Sequence, residues 1–303
     1  MKVLIVGLGS IAKKHINAIK TIDANVSLFA LRSSRDAFHV DGVEDLFSLK
    51  EASLHKFDFS IIANPTYKHC ETIKSLIKLN MPLFIEKPLS NNLQFDDVLK
   101  DVVDKNIITY VACNLRFLPC IQFVRDWLQQ RSSRINEVNV YCGSYLPEWR
   151  NGIDYKKNYS AVPEMGGGVQ LDLIHEIDYI YWLFGIPERV RKTLTNSSSI
   201  GIRACDYANY CLEYNNFNVS IVLNYFRRDS KRTFEIVLED GTIFVNLLED
   251  KVLFKGETIF SSNLKISDTY LEQMKYFLKC LSNHAFTFNS VLNAYDTLKI
   301  CLT

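Results

Sequence analysis

A glycine-rich hexapeptide, Gly7-Leu8-Gly9-Ser10-Ile11-Ala12, sits between a β-branched run at residues 3–6 and a helical pattern of apolar residues at 11–22. The first glycine permits a tight turn, and the second lets the backbone approach a pyrophosphate. The small Ala12 allows helix and sheet to pack closely. Unpaired amides at the start of the helix would then hold the diphosphate. Alone the hexapeptide is a common turn. Between a strand and a helix it predicts a dinucleotide-binding turn carried by Gly7, Gly9, Ser10, Ile11 and Ala12.

The pattern downstream of this turn supports that reading. Strand-like runs at 26–31, 57–63, 83–85 and 107–112 alternate with helical patterns at 67–79 and 95–105. Strands apolar on both faces, alternating with helices, predict a parallel sheet covered on both sides. The pattern changes after about residue 115. Residues 121–130 and 169–184 read as helices, while 207–214, 218–225, 233–238 and 242–247 alternate polar and apolar side chains. Glu239-Asp240-Gly241 is a hairpin signal. Helical patterns at 271–281 and 291–302 close the chain. The expected fold is α/β: a Rossmann doubly wound parallel sheet over residues 1–118, then an α+β domain with a mainly antiparallel open sheet over 119–303.

Composition narrows the function classes. The chain of 303 residues is 48% hydrophobic and 23% charged, which suits folded domains rather than disorder. A net charge of +1 without a dense basic stripe does not suggest nucleic-acid binding. No run approaches the roughly 20 apolar residues of a membrane span. The opening MKVLIVGLGS has too short an apolar run for a signal peptide. Eight scattered cysteines without a CxxC pair read as reduced, mostly structural thiols. The expected location is the cytoplasm, and no metal site is expected.

About twenty residues past the glycines, an acidic residue would accept hydrogen bonds from an adenosine ribose. Arg32-Ser33-Ser34-Arg35 stands there instead. Guanidinium and hydroxyl groups suit a 2′-phosphate, so Arg32, Ser33 and Arg35 favour NADP over NAD.

Further motifs resemble the glucose–fructose oxidoreductase/inositol dehydrogenase (Gfo/Idh/MocA) family. Asn64-Pro65-Thr66-Tyr67-Lys68-His69 is similar to its TPxxxH segment, and Glu86-Lys87-Pro88 to its EKP signature. Asn114-Leu115-Arg116-Phe117 looks like its NxRF segment. Gly166-Gly167-Gly168, followed by Asp172 and His175, resembles its glycine-led catalytic helix, although the family usually places His four residues after Asp rather than three. The residues 145–150, Tyr145-Leu146-Pro147-Glu148-Trp149-Arg150, with Tyr155 and Tyr159, resemble the loop of members linked to surface-sugar biosynthesis. The resemblance implies cofactor contacts from Asn64, Pro65, Thr66, His69, Glu86, Lys87 and Asn114. It implies substrate contacts from Lys87, Arg116, Tyr145, Trp149, Arg150, Tyr155, Tyr159, Asp172 and His175. It also implies a homo-oligomer, dimer or tetramer, formed through the open sheet.

The chemistry of these residues fits without the family name. Oxidising a secondary alcohol requires removing a proton while a hydride leaves carbon. A lysine at the carboxyl end of a parallel strand lies where ligands bind in such sheets, and desolvation or a neighbouring cation lets it exchange protons near neutrality. Glu86 would orient it or touch the cofactor. His175 is a natural general acid or base, and on one helix it shares a face with Asp172. Asp172 would bond the sugar or orient His175. The division of labour among Lys87, Asp172 and His175 stays open. The residues predict hydride transfer with a secondary alcohol or ketone, and the resemblance implies an NAD(P)-dependent dehydrogenase or reductase of a sugar, nucleotide sugar or cyclitol. The alternatives are an epimerase or hydrolase that oxidises transiently, and a non-catalytic dinucleotide-sensing regulator.

Overall fold

The computed structural model describes residues 1–36, 38–150 and 152–303. Its first third forms β1 (Lys2–Val6), α1 (Ser10–Ile22), β2 (Ser27–Leu31), β3 (Val43–Leu46), α2 (Leu49–Ala52), β4 (Phe59–Ile62), α3 (His69–Leu76), β5 (Leu83–Ile85), α4 (Asp96–Asp104) and β6 (Thr109–Val111). These strands make a parallel sheet in the order β3-β2-β1-β4-β5-β6. The order reverses between β1 and β4, which is where doubly wound sheets open a ligand crevice. The sequence pattern predicts no strand between residues 32 and 56. β3 lies there because an edge strand can be short and charged, and two of its four residues are acids.

The remainder comprises α5 (Pro119–Gln129), β7 (Ile135–Tyr145), α6 (Val169–Asp172), α7 (His175–Phe184), β8 (Arg189–Thr195), β9 (Tyr207–Glu213), β10 (Asn218–Asn224), β11 (Phe226–Leu238), β12 (Gly241–Asn246), β13 (Lys251–Phe254), β14 (Glu257–Ser261), α8 (Thr269–Ser282) and α9 (Val291–Leu302). Its sheet runs β14-β13-β12-β11-β7-β10-β9-β8, antiparallel throughout except for the β7–β10 pair. Leu238 pairs with Gly241, so Glu239 and Asp240 form the expected hairpin loop. Inward positions such as Val138, Val140, Ile221 and Phe234 are buried. All eight cysteines are free, five of them buried.

The chain falls into two compact units: Met1–Cys113 with Tyr270–Leu298, and Asn114–Thr269 with Lys299–Thr303. The expected boundary at 118/119 misplaces the closing helices, and the reason lies in the parallel sheet. Leu4, Val6, Ile62, Leu83, Ile85 and Val111 share one core with Ile73, Leu76, Val98 and Val102, and Val291 and Ala294 of α9 join it. The alternate positions Phe59, Phe84 and Tyr110 form the opposite face. There Phe277 of α8 sits at ring-centroid distances of 5.2, 5.4 and 6.1 Å from them. A strand apolar on both faces needs cover on both, and α8 supplies part of it. Phe277→Ala is therefore expected to destabilise the first unit by about 3–5 kcal/mol, measured by urea unfolding. A loss within about 0.5 kcal/mol, the size of a surface substitution, would contradict this packing.

Candidate active site

At the end of β1 the backbone of Gly7 adopts φ +92°. A Cβ there would lie 2.6 Å from the amide nitrogen of Asn64 and 2.7 Å from the carbonyl carbon of Ala63. The first glycine is thus required by the close passage of β1 against the end of β4. Gly9 is different. It caps α1 with φ −73° and no side-chain cap, and a Cβ added to it would meet no atom within 4 Å. Space therefore lies over the first turn of α1, where the amides of Ser10, Ile11 and Ala12 have no intrahelical acceptor. Ala12 is fully buried against the sheet. The Asn64 side chain donates to Thr72 Oγ1 at 2.8 Å, while its Oδ1 is buried without a donor. Open space, unbonded amides and an unused acceptor at the sheet's switch point fit a dinucleotide.

Other residues expected on the cofactor are turned towards protein. His69 is buried, with Nδ1 3.0 Å from the Pro88 carbonyl and Nε2 2.9 Å from the Asn64 carbonyl. Burial pushes its pKa down, and it braces the turn after β4 against the turn after β5. Pro65 and Thr66 lead into that brace; Pro65 is exposed. Glu86 is 7% exposed and pairs with His15 Nε2 of α1, a side chain with no exposure at all. Its other oxygen accepts from the Lys87 amide at 3.2 Å. Glu86 thus ties the end of β5 to the glycine-turn helix. Lys87 stands next to it, partly exposed, before a cis peptide to Pro88. Arg32 is not presented freely, because Nη1 lies 3.3 Å from Asp45 and Nη2 donates to the Phe38 carbonyl at 2.8 Å. Ser33 and Arg35 are exposed, with the Arg35 guanidinium 4.4 Å over the Phe47 ring. Asn114, in the second unit, is buried and donates to Thr269 Oγ1 at 2.7 Å.

The substrate candidates divide. Asp172 is 6% exposed, and its Oδ2 accepts from Tyr225 Oη at 2.5 Å. Tyr159 also donates to this carboxylate. Burial, then the carboxylate itself, pushes both phenols above the usual tyrosine range, so both remain donors. The Trp149 ring stands edge-on to Tyr225 at 5.3 Å, and the Arg150 guanidinium lies 5.3 Å over Tyr159. Trp149, Arg150, Tyr159, Asp172 and Tyr225 therefore form one cluster. Tyr225 escapes sequence reading because it reads there as the last residue of an alternating strand.

The others do not join it. Tyr145 accepts from Arg228 at 2.8 Å, and Tyr155 donates to the Ile200 carbonyl at 3.0 Å. Arg116, 1% exposed, grips Asp178 through Nε and Nη2 at 2.8 and 2.7 Å. A fork so buried and so fully paired holds the fold rather than a substrate, and Asp178 is its structural partner.

The expected single helix over 169–184 is broken at Leu173, whose φ and ψ are −99° and 29°. Asp172 ends α6 and His175, 8% exposed, begins α7. They do not share a helix face by periodicity. The preceding glycines also have another cause: a Cβ on Gly167 would strike the carbonyls of Tyr159, Ser160 and Val162. Gly167 thus admits protein backbone, and the segment carrying Tyr159 packs against it. A cavity of about 330 Å³ lined by Arg125, Trp127, Arg131 and Trp182 contains none of the predicted site residues. No group of three or more His, Cys, Asp or Glu among the described residues is arranged to hold a metal.

The profile of an oxidoreductase family with an NAD-binding Rossmann fold matches residues 1–111, and that of the GFO/IDH/MocA C-terminal domain matches 122–244. The chain belongs to the GFO/IDH/MocA oxidoreductase family. Among its relatives, the myo-inositol 2-dehydrogenase of Thermotoga maritima is 23% identical over 92% of this chain and 87% of its own. The levoglucosan dehydrogenase of Pseudarthrobacter phenanthrenivorans is 25% identical over 57% of this chain, and the match spans only 44% of that enzyme. A solved levoglucosan dehydrogenase, in complex with NADH and levoglucosan, shares the fold with a TM-score of 0.85 at 17% identity, covering 99% of this chain and 95% of that one. The two-unit GFO/IDH/MocA architecture is therefore present along nearly the whole chain.

Two outcomes are expected from these contacts. Gly9→Ala fits the protein, so thermal stability is expected to hold while dinucleotide affinity, read by fluorescence titration, falls about tenfold or more; unchanged affinity would place the cofactor elsewhere. Tyr225→Phe removes a phenol donor from a buried carboxylate. It is expected to cost about 1–3 kcal/mol in urea unfolding and to lower turnover more than it raises KM. A stability within error of the wild type would show that Asp172 does not depend on this phenol.

Proposed function

We propose that the protein is an NAD(P)-dependent oxidoreductase acting on a secondary alcohol or ketone of a sugar, nucleotide sugar or cyclitol. The observation that carries this is Asp172, a nearly buried carboxylate held by two protonated phenols beside Trp149. A carboxylate fixed in this way accepts a hydrogen bond from a ring hydroxyl in one orientation, and an aromatic wall suits the apolar face of a sugar. The bound nicotinamide supplies the acceptor or donor of the hydride. Gly7, Gly9 and the amides of Ser10, Ile11 and Ala12 hold the dinucleotide, with Asn64 Oδ1 as a further acceptor. Lys87 and His175 exchange the proton of the reacting hydroxyl, and Asp172 orients that hydroxyl. Trp149, Arg150 and Tyr159 complete the substrate side. Relatives named for myo-inositol and levoglucosan support a polyhydroxylated ring as substrate.

No helix among the described residues is long and apolar enough to cross a membrane. We place the protein in the cytoplasm, in carbohydrate biosynthesis, as a homo-oligomer assembled through the sheet face that bears Tyr141 and Ser220. NAD or NADP serves as cofactor.

Lys87→Ala tests the proposal. With a substrate found in a panel of sugars, nucleotide sugars and cyclitols, single-turnover nicotinamide absorbance is expected to slow about 10²–10⁴-fold. Dinucleotide affinity is expected to stay close to that of the wild type. An unchanged rate would remove Lys87 from the chemistry. Substrate conversion by the wild type without net change in absorbance would assign transient internal oxidation instead.

A further inference from the structure

We infer that Asp45, on the strand next to β2, sets the choice between the two nicotinamide dinucleotides by holding Arg32; this rests on the dinucleotide reading above. In a sheet of this order the residue just past β2 faces the adenosine ribose. Here that residue is a cation, and a carboxylate reaches it from the side. β3 runs parallel to β2 with Asp45 opposite Ala30, and the Arg32 amide donates to the Leu46 carbonyl at 2.8 Å. This register brings the Asp45 carboxylate to the end of β2, 3.3 Å from Arg32 Nη1. The acid missing from β2 is thus supplied by β3.

The pair is sheltered, its side chains being 10% and 18% exposed, so its attraction exceeds that of a surface pair in water. Asp45 is itself held through its second oxygen, 3.1 Å from His39 Nδ1. Yet Nη1 and Oδ1 face each other without the alignment of a hydrogen bond. Charge alone holds them, and neither atom is committed to a directed partner. An unphosphorylated 2′-hydroxyl can donate to the carboxylate and accept from the guanidinium, so the couple tolerates NAD. A 2′-phosphate must pull Arg32 away from Asp45 and from the Phe38 carbonyl, and it is repelled by the carboxylate it displaces. Arg32 therefore favours NADP only as far as Asp45 releases it.

The test is fluorescence titration of NADH and NADPH on the wild type, Asp45→Asn, Arg32→Ala and the double variant. Asp45→Asn keeps the shape and removes the charge. It is expected to move the NADPH-to-NADH affinity ratio about tenfold or more towards NADPH. Adding Arg32→Ala is expected to cancel that gain, because the gain passes through the guanidinium. A ratio in Asp45→Asn within about twofold of the wild type, with both dinucleotides still bound, overturns the inference and leaves the dinucleotide reading standing. A gain that survives Arg32→Ala overturns it as well. Binding of neither dinucleotide by the wild type overturns the reading itself, and this inference with it.

Discussion

The backbone of Gly7 passes so close to the end of β4 that any side chain would overlap Ala63 and Asn64. The layout of the first unit depends on that contact. β1 and β4 are neighbours at the point where the strand order reverses, so their carboxyl ends border one crevice. A residue without Cβ, in a conformation with positive φ, lets the chain leave β1 there and still enter α1. Gly9 needs no such freedom, since nothing in the protein opposes a side chain at that place. The first glycine serves the fold, and the second leaves the space over the first turn of α1 open.

The same turn aims α1 so that His15 reaches the end of β5. His15 and Glu86 form a nearly fully buried pair, with the His15 ring edge-on to Phe84 and to Tyr270 of α8. Removing one member of such a pair leaves a buried polar atom of the other without its partner, which costs more than the bond itself contributes. Glu86 also receives the Lys87 amide. The position of the strand-end lysine is thereby coupled to the helix that opens the dinucleotide turn, through a histidine that no motif marks.

Periodicity made most of the fold legible and failed where tertiary packing decides. Residues 57–63 and 83–85 read as buried strands because they are apolar on both faces, and the hairpin at Glu239-Asp240 comes from turn chemistry alone. β3 has only Val43 and Leu46 to declare it. The helices near the C-terminus are plain in the sequence, but which core they join depends on the uncovered rings of Phe59, Phe84 and Tyr110. Within the cluster around Asp172, the sequence singles out Trp149, Arg150, Tyr159 and Asp172 through their resemblance to a family loop and helix. Tyr225 is not singled out, because a tyrosine ending a strand carries no sign of what its hydroxyl meets. Arg116 misleads for the converse reason: an arginine in a motif suggests a ligand until its carboxylate partner, 62 residues away, is seen.

The Asp172–His175 spacing shows why helical arithmetic is the wrong measure at this place. With the helix broken at Leu173, each residue takes its position from its own anchor. Asp172 is held by the phenols of Tyr225 and Tyr159. His175 opens a helix whose first turns are clamped by Glu176 on Arg232, at 2.6 and 3.1 Å, and by Asp178 on Arg116. Acidic groups in that first turn also suit the positive end of the helix dipole. A spacing of three rather than the family's usual four is then taken up by the turn at Leu173 and Ile174. The carboxylate and the imidazole stay where two separate sets of buried partners put them.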